Sequence, residues 1–284
     1  MPVAKNLKLL CFDLDGTVLA GGQPLSPANW QALQTLREAG VVLAAASGRN
    51  RQSLCKVLSP DTPLDYAIFS TGTGILRWED KSIIRRQELS AVQVAAALQV
   101  LLERKIDVMV QDILPDNHIF HYRHFSQPEN CSTDFFRRVE IYRDSCRQLP
   151  EPCVWQSPAS QLLAVLPPDE QLFLDISALL QDFSVVRSTS PLDNTSIWME
   201  IFAPGVNKSS GAAWLAEQLA DSQGRTVDTY ALGNDHNDLD LLHWAGQALV
   251  AARSPWELRR HFPALSSPPE QSLPEAAERW DLFA

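Results

Sequence analysis

Leu7-Lys8-Leu9-Leu10-Cys11-Phe12-Asp13-Leu14-Asp15-Gly16-Thr17 runs from a mostly apolar hexad straight into two aspartates and a glycine. The apolar run over residues 6–12 is too short for a helix and ends in turn residues, so it reads as a buried strand entering a turn. Residues i and i+2 of a strand point the same way, and ligands of an open parallel sheet sit beyond the carboxyl ends of its strands. Asp13 and Asp15 therefore project into one crevice. Two such charges roughly 5 Å apart at an effective dielectric near 20 repel by about 3 kcal/mol, which calls for a cation. Mg2+ suits the place, since it takes one or two carboxylates and fills its shell with water and phosphate oxygens. Taken alone, the segment also reads as an Asx turn closing a strand.

Outward from this segment the chain alternates. Ser26 and Pro27 open a helix as N-cap and first helical residue, with Trp30, Leu33 and Leu36 on one face and Gly40 closing it. Residues 41–46 form the next buried strand, with Ser47-Gly48-Arg49 at its end, followed by a helix over 52–58 and a strand over 66–70. Strands alternating with helices mean a parallel sheet with right-handed crossovers. From about 75 to 200 the rhythm changes to a helix (91–104), strands (107–111 and 118–125), a helix (133–142), a strand (162–166), a helix (170–180) and strands (184–187 and 197–202). That pattern predicts an antiparallel sheet with helices on one face, a separate α+β module. After Gly205 the first rhythm returns: helix 209–219, strand 227–232, helix 238–244, strand 248–250, then a Pro- and Ser-rich loop (263–274) and a short helix within 275–283.

Composition narrows the class. With 24 basic against 34 acidic side chains the net charge is −10, which would repel a phosphate backbone, so nucleic acid is not the expected partner. No stretch reaches the roughly 20 apolar residues of a membrane helix, and Asp13 cuts off the Leu9 to Phe12 run before it could act as a signal segment. A cytoplasmic protein with no membrane partner is the expectation. The five cysteines are odd in number and share no CxxC spacing, which fits reduced thiols rather than a disulfide framework or a zinc site.

The opening motif resembles DxDGT, the first motif of the haloacid dehalogenase-like (HAD) superfamily of phosphohydrolases, and three more motifs follow in order. Ser47-Gly48-Arg49 is similar to the second, Lys208 in Pro204-Gly205-Val206-Asn207-Lys208 to the third-motif lysine, and Gly233-Asn234-Asp235-His236-Asn237-Asp238 to the fourth, usually GDxxND. Asn234 thus stands where the family carries a metal-ligating aspartate. It still offers a carbonyl oxygen, and Asp235 is the alternative ligand.

The resemblance implies phosphoryl transfer in two steps. Asp13 attacks phosphorus and Asp15 acts as acid and then base. Ser47, Gly48, Lys208 and Asn237 hold the phosphoryl group, while Asp13, Asp15, Asn234 and Asp238 hold Mg2+. Asp238 would also orient the lysine or a metal-bound water.

The segment between Ser47 and Lys208, ending in Met199-Glu200-Ile201-Phe202, resembles the large type IIB cap of the Cof-type branch, which implies a cap that closes over the site. Thr71-Gly72-Thr73-Gly74 stands where that branch often carries Asn-Gly. The fold expected is α/β: a doubly wound parallel-sheet (Rossmann-like) HAD core from residues 1–82 and 201–284, with an inserted α+β cap domain at 83–200. The expected partner is a small phosphorylated metabolite, a sugar phosphate first, and the expected activity is that of a Mg2+-dependent phosphatase. Along one strand His118, Phe120, Tyr122 and His124 share a face and His121 and Arg123 the other; one of these, with Arg137 or Arg138, is the candidate reader of the leaving group. A phosphosugar mutase and a catalytically weak binding or regulatory protein stay open, the latter because of Asn234, whereas Asp15 counts against a dehalogenase.

Overall fold

Strands with both faces apolar need cover on both sides, and the first strand, LKLLCF, is buried along nearly its whole length. In a computed structural model, which describes residues 6–21, 23–128, 131–190 and 192–283, the chain forms two compact units. One comprises Met1–Arg85 and Lys208–Ala284, the other Arg86–Asn207.

The first unit begins β1 (Leu7–Phe12), α1 (Pro27–Glu38), β2 (Val41–Ala46), α2 (Arg51–Val57), β3 (Tyr66–Phe69), β4 (Gly74–Arg77) and β5 (Ile83–Arg86). The second holds α3 (Ala91–Glu103), β6 (Val108–Gln111), β7 (Phe120–Arg123), α4 (Phe135–Ile141), β8 (Cys146–Gln148), β9 (Gln161–Leu166), α5 (Glu170–Ser177), β10 (Ser184–Thr189) and β11 (Ile197–Phe202). The chain then returns through α6 (Lys208–Gln223), β12 (Val227–Gly233), α7 (Leu239–Trp244), β13 (Gln247–Val250), α8 (Trp256–Arg259) and α9 (Ser272–Arg279).

The first unit's sheet has the order β13-β12-β1-β2-β3-β4-β5. Its first five strands are parallel, and β4 turns back antiparallel to β3. The chain leaves β1 toward β2 on one side, while β12 lies on the other, which makes the carboxyl ends of β1 and β12 the topological switch point where a ligand crevice opens. There the Asp13 amide donates to the Leu232 carbonyl at 2.9 Å, so the loops after the two strands lie side by side.

Two features depart from the sequence reading here. Residues 74–86 add the antiparallel strands β4 and β5 to the sheet edge, where the pattern had loosened. At the other end a helix starts at Ser272, inside the stretch read as loop. That helix is held to α1 by Asn29, wholly buried, whose Nδ2 donates to the carbonyls of Val18 (2.9 Å) and Pro269 (2.8 Å) and whose Oδ1 accepts from the Leu273 amide (3.1 Å). Asn29→Ala, which orphans these backbone groups, is expected to cost about 2–3 kcal/mol; a urea titration that moves by less than about 1 kcal/mol would rule this tie out as a major support.

In the second unit the order is β10-β11-β9-β6-β7-β8, antiparallel except for the parallel pair β7 and β8. Helices cover both faces rather than one. Val108, Val110, Leu162 and Ala164 pack with residues of α3 and α5, while Met109, Leu163 and Val165 pack with Phe135, Phe136 and Val139 of α4. The reason lies in β9, QLLAVL, buried at every position, which leaves no polar face for water.

Candidate active site

The crevice beyond β1 and β12 is built around one ammonium and two carboxylates. Lys208, the first residue of α6, is fully buried, and its Nζ donates to Asp13 Oδ1 at 2.7 Å and to Asp238 Oδ1 at 2.6 Å. Burial alone would push the Lys208 ammonium toward neutrality. The carboxylates of Asp13 and Asp238 outweigh it and hold the lysine protonated, above its usual range. A lysine at a helix N-terminus opposes the helix dipole; here the two carboxylates are what keep it there, and Asp240 Oδ2 takes the Ser209 amide at 2.7 Å to cap the same turn.

Asp13 answers to four neighbours. Oδ1 meets Lys208, and Oδ2 accepts from Thr17 Oγ1 at 3.0 Å, a buried hydroxyl in the same turn. The Asp13 carboxyl is raised to about 7: burial pushes it up most, Lys208 pulls it down, and Asp238 and Asp15 push it up again. Asp15 projects beside it with both carboxylate oxygens in the fork of Arg49, Nε at 2.6 Å and Nη2 at 2.7 Å, while Nη1 reaches Ser53 Oγ at 2.7 Å. Ser47 is buried at the end of β2, its Oγ accepting from the Arg49 amide at 3.2 Å.

After β12 the chain turns so that Asp238 Oδ2 accepts from the amides of Asn234 (2.8 Å) and Asp235 (3.2 Å). Gly233 makes this possible, because a Cβ there would stand 2.6 Å from Asp238 Cβ. Asn237 lies half-buried in the 3-10 turn His236–Asp238. The Asn234 side chain lies over Gly16, where a Cβ would run into its Nδ2, and Gly16 has φ +78°. Gly16→Ala is therefore strained in both backbone and space, and should lower stability by about 2 kcal/mol or more, measured as a shift in thermal midpoint; an unchanged midpoint would mean Asn234 has room to swing away.

A family model for haloacid dehalogenase-like hydrolases matches residues 10–261, which hold every site residue named above. This chain belongs to the haloacid dehalogenase-like hydrolases. The hydrolase is 23% identical over 271 residues to the 5-amino-6-(5-phospho-D-ribitylamino)uracil phosphatase of Bacillus subtilis, covering 89% of this chain and 90% of that one. It is 26% identical over 155 residues to the pyridoxal phosphate phosphatase of Escherichia coli, covering 50% of this chain and 55% of the relative. Among solved structures, a HAD superfamily phosphatase from Bacteroides thetaiotaomicron superposes with a TM-score of 0.76 at 19% identity over 99% of this chain and 98% of the other. A subclass IIB sugar phosphatase superposes with 0.74 at 14% identity, over 97% and 99%. These likenesses show the α/β fold with an inserted cap domain.

The structure brings Asp13, Asp15, Ser47, Lys208, Asn234 and Asp238 of the hydrolase to one end of one sheet. Roles not legible beforehand belong to Arg49 and Thr17. Both stand inside quoted motifs, but only the fold shows Arg49 forking Asp15 and Thr17 bonding Asp13.

The residues fit a divalent cation by charge: three carboxyl groups, Asp13, Asp15 and Asp238, face two cationic side chains, Lys208 and Arg49. Asp238 is fully buried, with Lys208 and two amides on its oxygens, and Asp15 is held by Arg49. Asp13 and Asp15, whose oxygens each hold one hydrogen bond and so keep a lone pair, and half-buried Asn234 are better placed than Asp238.

The proposed leaving-group readers are engaged within the second unit. Tyr122 and His124 pack on Phe135 and Phe136, and His121 on Trp155. The Arg138 guanidinium stacks on Trp198, Tyr142 and Phe120.

Proposed function

We propose that this hydrolase is a Mg2+-dependent phosphatase that releases phosphate from a small phosphorylated metabolite, a sugar phosphate first among them, through a phosphorylated Asp13. The single observation carrying the reading is the buried Lys208 bridging Asp13 and Asp238 at the carboxyl ends of β1 and β12. Membership of the family and relatives named as phosphatases support the class.

Asp13 Oδ2, steadied by Thr17, is aimed at phosphorus, while Lys208 on Oδ1 keeps the carboxylate oriented and adds positive charge beside the oxygens of the transferring group. Asp15 delivers a proton to the leaving oxygen and then takes one from the water that cleaves the acyl phosphate, which restores the Asp13 carboxylate. For that Asp15 must leave the Arg49 fork, freeing the guanidinium to meet a phosphoryl oxygen. Ser47 Oγ donates to the same group. Mg2+, held by Asp13 and Asn234, would supply the charge that the two cations of the chain leave unbalanced.

Chelation with EDTA should abolish phosphate release from a panel of phosphate esters and Mg2+ should restore it; release that persists in EDTA would refute metal dependence. Asn234→Asp restores the usual fourth motif and should lower the Mg2+ concentration for half-activation by about tenfold. Asn234 also favours a second reading, a catalytically weak binding protein, which is supported if neither form releases phosphate from any ester.

A further inference from the structure

Ser70, Thr71 and Gly72 follow β3 as a tight turn in which all three φ angles are positive, 47°, 56° and 106°. The turn is buried, Thr71 completely. Glycine adopts such angles freely, but a β-branched residue there is an outlier, and buried outliers persist where the surroundings hold them, often at functional sites.

What surrounds the turn is the catalytic crevice. The Ser70 amide donates to the Arg49 carbonyl at 2.9 Å and the Thr71 amide to the Ser47 carbonyl at 3.1 Å. Thr71 Oγ1 lies against Gly48, 3.5 Å from where a Cβ would stand. On the other side α6 crosses closely: a Cβ on Gly211 would lie 2.7 Å from Ile68 Cγ2 and 3.7 Å from Gly72 Cα. Gly211 is three residues on from Lys208 in that helix. The turn therefore touches both the loop bearing Ser47 and Arg49 and the helix that begins at Lys208, and its left-handed backbone is what aims two successive amides at that loop.

Resting on the phosphatase reading above, we propose that Thr71 is a positioning residue whose strained conformation sets the register of the Ser47–Gly48–Arg49 loop against Lys208. Thr71→Gly removes the side chain over Gly48 at a φ that glycine adopts without strain, and Thr71→Asn keeps a polar side chain that tolerates the left-handed region. Both are compared with wild type on an ester the wild type hydrolyses. For Thr71→Gly, kcat/KM should fall about tenfold or more and the inhibition constant of inorganic phosphate should rise about fivefold or more, with the melting temperature unchanged or higher. Thr71→Asn should stay within about threefold of wild type in both. Kinetics of Thr71→Gly within about twofold of wild type would overturn the proposal, as would activity lost in step with a melting temperature lower by more than about 5 °C. Hydrogen exchange over residues 46–50 needs no substrate. It should be faster in Thr71→Gly, and unchanged exchange there overturns the positioning role whether or not the phosphatase reading stands.

Discussion

Asp13→Asn is expected to lower phosphate release by at least about 10⁴-fold while leaving the protein no less stable. The amide has the shape of the carboxylate and retains an oxygen for Lys208 Nζ, but it is no nucleophile. Stability should hold because Asp13 and Asp238 compete for one buried ammonium, and removing one carboxylate leaves a matched pair between Lys208 and Asp238. The pH dependence carries the sign of the same effect. Burial raises the Asp13 carboxyl from 3.8 to about 7 in the metal-free protein, so the folded state holds that proton more tightly than the unfolded chain. Its contribution is therefore fully present below pH 3.8 and is lost as pH rises toward about 7. In EDTA, the wild type should lose stability across that window, and Asp13→Asn should lack this component. Phosphate release by Asp13→Asn within about 100-fold of wild type would place the nucleophile elsewhere.

Lys208→Met carries the largest expected effect on stability. The substitution keeps an unbranched side chain, one atom shorter, and removes the positive charge that faces two carboxylates from complete burial. Breaking a buried ion cluster from one side costs about 3–5 kcal/mol, because the charges left behind have no partner. Chemical denaturation at neutral pH measures this directly, and a loss below about 1 kcal/mol would contradict the triad as a structural element. Adding Asp238→Asn to Lys208→Met should return part of the loss, since one uncompensated charge disappears. Activity should not return with it, because the lysine beside the phosphoryl group is still missing.

Much of the site was legible in the four motifs, because each reports local backbone geometry. DxDGT marks a strand end with two side chains on one side and a glycine at φ +78°. Gly233 marks the close approach of Asp238. Long-range pairings were not legible. Nothing in the spacing of Arg49 and Asp15, separated by 34 positions, reveals a bidentate pair. Nor does the amphipathic face read for α1 anticipate Asn29, a polar residue buried with the apolar ones because it ties two backbone segments from elsewhere in the chain. Nor does the spacing reveal that the Arg138 guanidinium stacks on the rings of Phe120, Tyr142 and Trp198.

By itself the amino-acid sequence determined the alternation of short buried strands with helices, the insertion between two halves of one sheet, and the four polar clusters at strand and helix ends. These are local properties, set by side-chain periodicity, caps and glycine. The tertiary structure alone decided which cation each carboxylate meets. Lys208, supplied by a helix some 195 positions away, meets Asp13 and Asp238 rather than Asp15, and Arg49 takes Asp15. Charge alone would permit either assignment, and only the order of strands around β1 brings each cation within hydrogen-bonding reach of its own partner.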